Sequence, residues 1–186
     1  SREQNLQDAS ELARMLAAID LCPKPTIARI QGDVYAGGMG LVATCDMAVS
    51  LSSAGFCLSE VKLGLIPATI SPYVMRAMGA RASHRYFLTA ERFDAAQALR
   101  LGLVHEVFDT ETALDDCVAT LCQALVAASP NALRACKDLL HDVAGREINA
   151  DLIERTVAGI ADIRASAEGK EGVQSFLQKR KPNWQE

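Results

Sequence analysis

Two adjacent glycines, Gly37 and Gly38, join a β-branched run to a short apolar run. The segment reads TIARIQGDVYA, then GGMGLVATC, then DMAVSLS. Glycine is a poor helix former and a costly strand residue, so a pair at such a junction signals a sharp turn or a close approach to the backbone. TIARIQGDVYA is predicted as a strand, GGMGLVATC as a short buried helix and DMAVSLS as a second strand. A strand–helix–strand passage places this part of the chain in an α/β core.

The flanking segments extend that reading. LQDASELARMLAAIDLC carries Leu12, Met15, Leu16 and Ile19 on one helical face, and PKP stops it. After DMAVSLS come a turn (SAG), a short extended piece (FCLSE) and a loop (VKLGLIPA). YVMRAMG and ARASHRYFLTA read as helices, FDAAQALRLG as a helix ended by Gly102, and LVHEVF as a strand. From about residue 111 only helices follow, one of them opened by Pro130. The expected organisation is an α/β core over 1–110 and an all-helical C-terminal region over 111–186. With 186 residues and 49% hydrophobic content, the chain can bury one sizeable core.

The formal net charge of -4, with basic residues scattered, argues against nucleic acid or an anionic membrane as the main partner. No apolar run reaches the roughly 20 residues of a membrane span. There is no signal peptide, and the chain starts at Ser1 without a methionine, so a cytoplasmic protein with residues upstream is expected. Cys22, Cys45, Cys57, Cys117, Cys122 and Cys136 form no CxxC pair, and no histidine stands at a spacing from them that suggests a zinc site. They are read as buried thiols in a reducing compartment, and no metal site is expected.

Two places invite chemistry. A strand that enters a helix through glycines leaves the first helical N–H groups unpaired, with the positive end of the helix dipole behind them. Such a site suits a carbonyl oxygen that gains negative charge. On the residues alone, Gly37 and Gly38 equally suit a tight turn or close packing. Neither GxxxxGK[ST] nor GxGxxG occurs. The second place is FCLSEVKLGLIPA, where Glu60 stands between an apolar segment and a glycine–proline loop. A carboxylate there can exchange protons with a ligand, or simply end a strand at the surface. His84, His105 and His141 have no nucleophile motif near them, and no GxSxG occurs. Tyr73 and Tyr86 suit either the lining of a ligand pocket or core packing, and core packing is the favoured assignment.

The stretch KPTIARIQGDVYAGGMGLVATCDMAVSLSSAGFCLSEVKLGLIP resembles the enoyl-CoA hydratase/isomerase, or crotonase, superfamily. The match runs through AMGARASHRYFLTAERFDAAQALRLGLVHEVF and ends in AEGKEGVQSFLQKRKPNW. It implies a crotonase-like spiral ββα core with its N-terminal part absent, followed by a helical region used for trimerisation. By this resemblance the Gly37 N–H is the second oxyanion-hole donor, the first lying upstream of Ser1. Glu60 matches the second of two hydratase glutamates. The first falls at Gly40. Gly38, Gly40 and Ala68 are implied as substrate-binding, and Phe176 and Lys179 as contacts to the adenosine part of CoA, often on a neighbouring subunit. Asp46 is read as a structural anchor for the next strand. QKRK at 178–181 is a solvated helix end or a contact to a CoA phosphate.

The implied activity is hydration of an enoyl-CoA thioester, with Glu60 as general acid/base. Gly40 leaves single-carboxylate Δ3,Δ2-enoyl-CoA isomerisation as the alternative. Ala68, Thr69 and Ile70 replace a glycine-rich stretch and add bulk beside the acyl site, pointing to a branched or carboxylated acyl group. GGMGLVATCD, CLSEVKLGLIPATISPYV and RYFLTAERFDAAQA look most like bacterial methylglutaconyl-CoA hydratase-like proteins. No cofactor is implied, since CoA enters as part of the substrate. The implied partner is another copy of the chain, as a trimer or a dimer of trimers. A non-catalytic RNA-binding or scaffold role is opposed by the acidic charge and the retained Glu60.

Overall fold

The computed structural model describes residues 1–185. The chain divides into two compact units: one holds Ser1–Cys22 and Thr26–Ala119, the other Pro23–Pro25 and the chain from Thr120 onward. The division falls inside a helix rather than at residue 110.

In the first unit, helix α1 (Arg2–Asp20) opens on a capping box at Ser1 and Gln4. Its inner face differs slightly from the expected one. Leu16 is fully buried, while Met15 is 43% exposed and Asp20 turns inward instead. Asp20 is stabilised there by an ion pair with Arg76.

The predicted strand TIARIQGDVYA is two strands in two sheets. Strand β1 (Ile27–Ile30) and strand β2 (Val34–Tyr35) are separated by Gln31, Gly32 and Asp33. Helix α2 (Gly37–Thr44) and strand β3 (Met47–Leu51) follow as expected. Strand β4 (Gly55–Cys57) leads into a 3-10 turn over Glu60–Leu63. Helix α3 (Ser71–Thr89) contains a break at Gly79, whose φ of 76° and ψ of 159° separate the two helical segments read from the sequence. Strand β5 (Phe93–Asp94), helix α4 (Ala95–Arg100) and strand β6 (Glu106–Phe108) complete the α/β part.

One sheet has the order β1-β3-β6 with parallel pairing throughout. The other has the order β2-β4-β5, parallel and then antiparallel. Phe56, Leu16, Met39, Leu58, Ile70, Val49 and Val74 are buried in this unit, and all but Val49 belong to its main apolar cluster. Asp46 anchors the main sheet as expected. Its Oδ2 accepts from the Thr26 amide at 2.7 Å and the Thr26 hydroxyl at 2.9 Å, and its own amide donates back to Thr26 Oγ1 at 3.1 Å.

Helix α5 (Glu111–Ala127) spans the division of the chain. Beyond it lie α6 (Pro130–Val143), α7 (Ala150–Ala165) and α8 (Ala167–Leu177). The last two are joined by Ser166, which ends one and caps the next. Glu168 on α8 accepts from the Asn131 amide at 3.0 Å and also bonds Ser129, holding α6 and α8 together. Arg180 forks onto Glu171 at 2.6 and 2.8 Å, so it is not a free cation of the tail.

The thiols are less buried than expected. None of the six is in a disulfide, but only Cys57 is buried, while Cys122 and Cys136 are exposed. Among the described residues no helix is long and apolar enough to cross a membrane.

Candidate active site

The site is built where two parallel strands end. Tyr35 of β2 sits opposite Cys57 of β4, and the Ala36 amide donates to the Cys57 carbonyl at 3.0 Å. Because the strands are parallel, the chain leaves both at the same edge. That edge is where open α/β sheets present their ligands. Gly37 follows one strand and Glu60 the other.

Ala36 makes the turn into α2 with φ 47° and ψ -119°, a conformation that L residues rarely adopt. Gly37 is then the first helical residue. The Met39 amide is already engaged by the Ala36 carbonyl at 2.9 Å. The earlier amides have no intrahelical acceptor, as at any helix N terminus.

The three glycines of this turn serve different ends. A Cβ at Gly37 would meet nothing within 4 Å, so this position borders open space. At Gly38 a Cβ would stand 3.3 Å from Val34 Cγ1, so close packing accounts for that glycine. At Gly40 a Cβ would stand 2.8 Å from Ile70 Cβ, and Gly40 is buried. Gly40 is therefore packed beneath Ile70, which leaves no room for a side chain at this position.

Glu60 opens the 3-10 turn and is half-buried. Its carbonyl accepts from the Leu65 amide at 3.1 Å, and Gly64 closes the turn in the left-handed region with φ 73°. Its side-chain atom Oε2 is buried without a hydrogen-bond partner. An unpartnered buried oxygen costs on the order of 1–3 kcal/mol, so it calls for an explanation beyond stability. Ala68 is exposed in the following loop, where its carbonyl accepts from the Ser71 hydroxyl at 2.8 Å. Tyr86 is buried against Phe93, as its assignment to the core requires.

A group that the sequence reading missed steadies these strands. Asp33, just before β2, accepts from the Gly55 amide at 2.7 Å and from Arg92 at 2.8 Å. The Arg92 hydrogen bond, then the Gly55 N–H, hold the Asp33 carboxyl below the usual carboxylate range. The signal was faint: three residues spread across 59 positions of sequence.

Phe176 and Lys179 lie in the second unit. Phe176 is 81% exposed at the end of α8. Lys179 has φ 54°, and its amide donates to the Phe176 carbonyl at 3.1 Å. With Arg180 N bonding Ser175 O at 3.0 Å, this is a Schellman ending in which lysine takes the place usually held by glycine.

Comparison with known proteins gives this arrangement a family. The family model for enoyl-CoA hydratase/isomerase matches residues 2–186. The chain belongs to the enoyl-CoA hydratase/isomerase family. It is 36% identical over 178 residues to enoyl-CoA hydratase ACTT6 of Alternaria alternata, covering 94% of this chain and 59% of that protein. It is 29% identical to a peroxisomal Delta(3,5)-Delta(2,4)-dienoyl-CoA isomerase of Arabidopsis thaliana, covering 99% of this chain and 66% of that one. The crystal structure of an enoyl-CoA hydratase from Shewanella pealeana superposes with a TM-score of 0.94 at 48% identity, over 99% of this chain and 68% of that chain. The fold is therefore the crotonase fold. The chain spans about 60% of the length of the first curated relatives it matches.

Proposed function

We propose that this chain carries the proton-transfer half of an acyl-CoA site, hydrating the α,β double bond of a branched or carboxylated enoyl-CoA such as methylglutaconyl-CoA. The observation that carries this reading is the buried, unpartnered Glu60 Oε2 at the same strand edge as the open backbone of Gly37. The Gly37 N–H polarises the thioester oxygen as the α carbon gains electron density. One donor of this kind is worth roughly 3 kcal/mol of barrier. Glu60 moves the proton, which contributes roughly a hundredfold or more. Exposed Ala68 borders the acyl group, and CoA is part of the substrate.

A second reading is supported by Gly40. With no side chain there, Glu60 is the one carboxylate that the resemblance retains, and a lone carboxylate suffices to move a proton between carbons in Δ3,Δ2-enoyl-CoA isomerisation. Incubating the intact protein separately with 2-enoyl- and 3-enoyl-CoA tests both. Loss of conjugated thioester absorbance marks hydration, and its gain from the 3-enoyl ester marks isomerisation. Turnover of neither overturns the acyl-CoA reading.

The assembly we propose is a trimer or a dimer of trimers. Support comes from the helical region, where Leu139, Leu140, Ile153, Val157 and Ile160 are all 44% exposed or more. Ile153, Val157 and Ile160 follow helical spacing and form an apolar stripe of the kind that marks an interface. In this assembly Phe176 and Lys179 complete a neighbour's CoA site.

A further inference from the structure

Gly37 and Gly40 lie three residues apart on α2 and so share a face of that helix. At Gly37 the face opens on free space. At Gly40 it is closed: Ile70 Cβ would be 2.8 Å from a Cβ placed there, its Cγ2 closer still, and Leu16 Cδ2 3.4 Å away. Ile70 is 1% exposed and Leu16 fully buried. Ile70 cannot easily swing aside. It is the residue from which α3 springs, its carbonyl accepts from the Val74 amide at 3.1 Å, and a β-branched side chain has little χ1 freedom. The part of this face at Gly40, one turn on from Gly37, is thus closed by hydrocarbon, supplied by a residue 30 positions away from Gly40 in sequence.

We propose that Ile70 is a specificity-determining residue of this site. By filling the space in front of Gly40 it keeps a second polar side chain, and the water such a group would hold, away from the acyl carbons. This role rests on the acyl-CoA reading above. The two candidate reactions differ in what they need from that wall. Hydration adds a water across the double bond, with hydroxyl to the β carbon and proton to the α carbon. An ordered water needs two to four polar partners, and a hydrocarbon wall supplies none. Isomerisation of a 3-enoyl thioester removes a proton from the α carbon and returns one to the γ carbon as the double bond shifts. It gains and loses no atoms, and Glu60 alone can carry the proton. Ile70 therefore biases the partition toward isomerisation, the second of the two readings above, at the expense of hydration.

Two measurements on the intact protein test this. The first is a stability cycle that does not depend on turnover. Gly40→Ala lowers the melting temperature in the wild-type background and has little effect once Ile70→Ala has made room; additive effects overturn the packing pair. The second is the ratio of hydration to isomerisation. In Gly40→Glu/Ile70→Gly, where the new carboxylate occupies the vacated volume, the ratio rises by about tenfold or more. Ile70→Val leaves it nearly unchanged. Ile70→Ser, a small polar replacement that serves if the double variant does not fold, raises it severalfold. A wild-type ratio in whichever of these two polar variants folds overturns the specificity role. Absence of both reactions in the wild-type protein overturns the acyl-CoA reading, and this role with it, whatever the stability cycle shows.

Discussion

The Ala36 amide and the Cys57 carbonyl meet at 3.0 Å, the last rung shared by the strand that runs into Gly37 and the strand that runs towards Glu60. Beyond that rung the two chains part, one into a helix and one into a 3-10 turn. The spacing between the candidate amide donor and the candidate carboxylate is therefore set by backbone hydrogen bonding rather than by a mobile loop.

Glu60→Gln keeps shape and removes proton transfer. Turnover of the accepted thioester is expected to fall by roughly a hundredfold or more, with little change in affinity for the CoA ester. Glu60→Met also removes the unpartnered buried oxygen. Its melting temperature is expected to equal or exceed that of the wild-type protein while turnover is lost. Steady-state kinetics beside thermal denaturation checks both. A less stable variant that still turns over would assign Glu60 to the fold instead.

Ala36 holds a positive φ of 47° without being glycine. A β-branched residue tolerates that region far less well, so Ala36→Val is expected to cost about 1–3 kcal/mol. Urea denaturation reads this directly. A midpoint like that of the wild-type protein would mean that the turn into α2 relaxes without strain.

Asp33 makes stability pH-dependent in a defined direction. Its folded pKa is depressed, first by the Arg92 hydrogen bond and then by the Gly55 N–H. A depressed carboxylate stabilises the fold above its unfolded pKa of about 4 and loses that contribution as pH falls through the folded value. Asp33→Asn is thus expected to be less stable than the wild-type protein at pH 6, with the gap narrowing below about pH 4. Denaturation midpoints across pH 6 to 3 decide it, and a gap that widens on acidification contradicts the assignment.

Lys179 occupies a left-handed position, with φ 54°, at the end of α8. Lys179→Gly is expected to stabilise the protein by about 0.5–1 kcal/mol, because glycine adopts this conformation without strain. The same change should weaken binding of a CoA thioester severalfold, as titration calorimetry would measure, and light scattering should still report a trimeric or hexameric mass. Unchanged affinity, or a monomer that turns over substrate, removes the shared-site picture.

What could be read from the sequence was what is local. The glycine turn, the strand after it, the break at Gly79 and the anchoring role of Asp46 all follow from residues close to one another along the chain or from a short, specific motif. The split of TIARIQGDVYA into two sheets was hidden, because Gln31–Gly32–Asp33 differs little from a strand in composition while the tertiary pairing differs completely. The burial of Gly40 under Ile70 was equally invisible, since helical periodicity says which residues share a face but not what fills the space before it. Met15 was placed inward by spacing alone, whereas the Asp20–Arg76 ion pair accompanies the inward turn of the neighbouring edge of that helix. Thiol exposure went wrong for a related reason: an apolar neighbourhood in sequence does not by itself bury a cysteine.

The clasp between Thr26 and Asp46 also bears on the order in which this protein assembles. It closes a loop of only 20 residues around α2, whereas joining β3 to β6 brings together Ala48 and His105, 57 residues apart. Loop-closure entropy grows with the logarithm of length, so the longer closure costs about 1 kcal/mol more. The β1–α2–β3 segment, with the Gly37 turn inside it, is the cheaper piece to nucleate. Substitutions in the clasp should slow refolding, whereas those at the β3–β6 seam should mainly hasten unfolding.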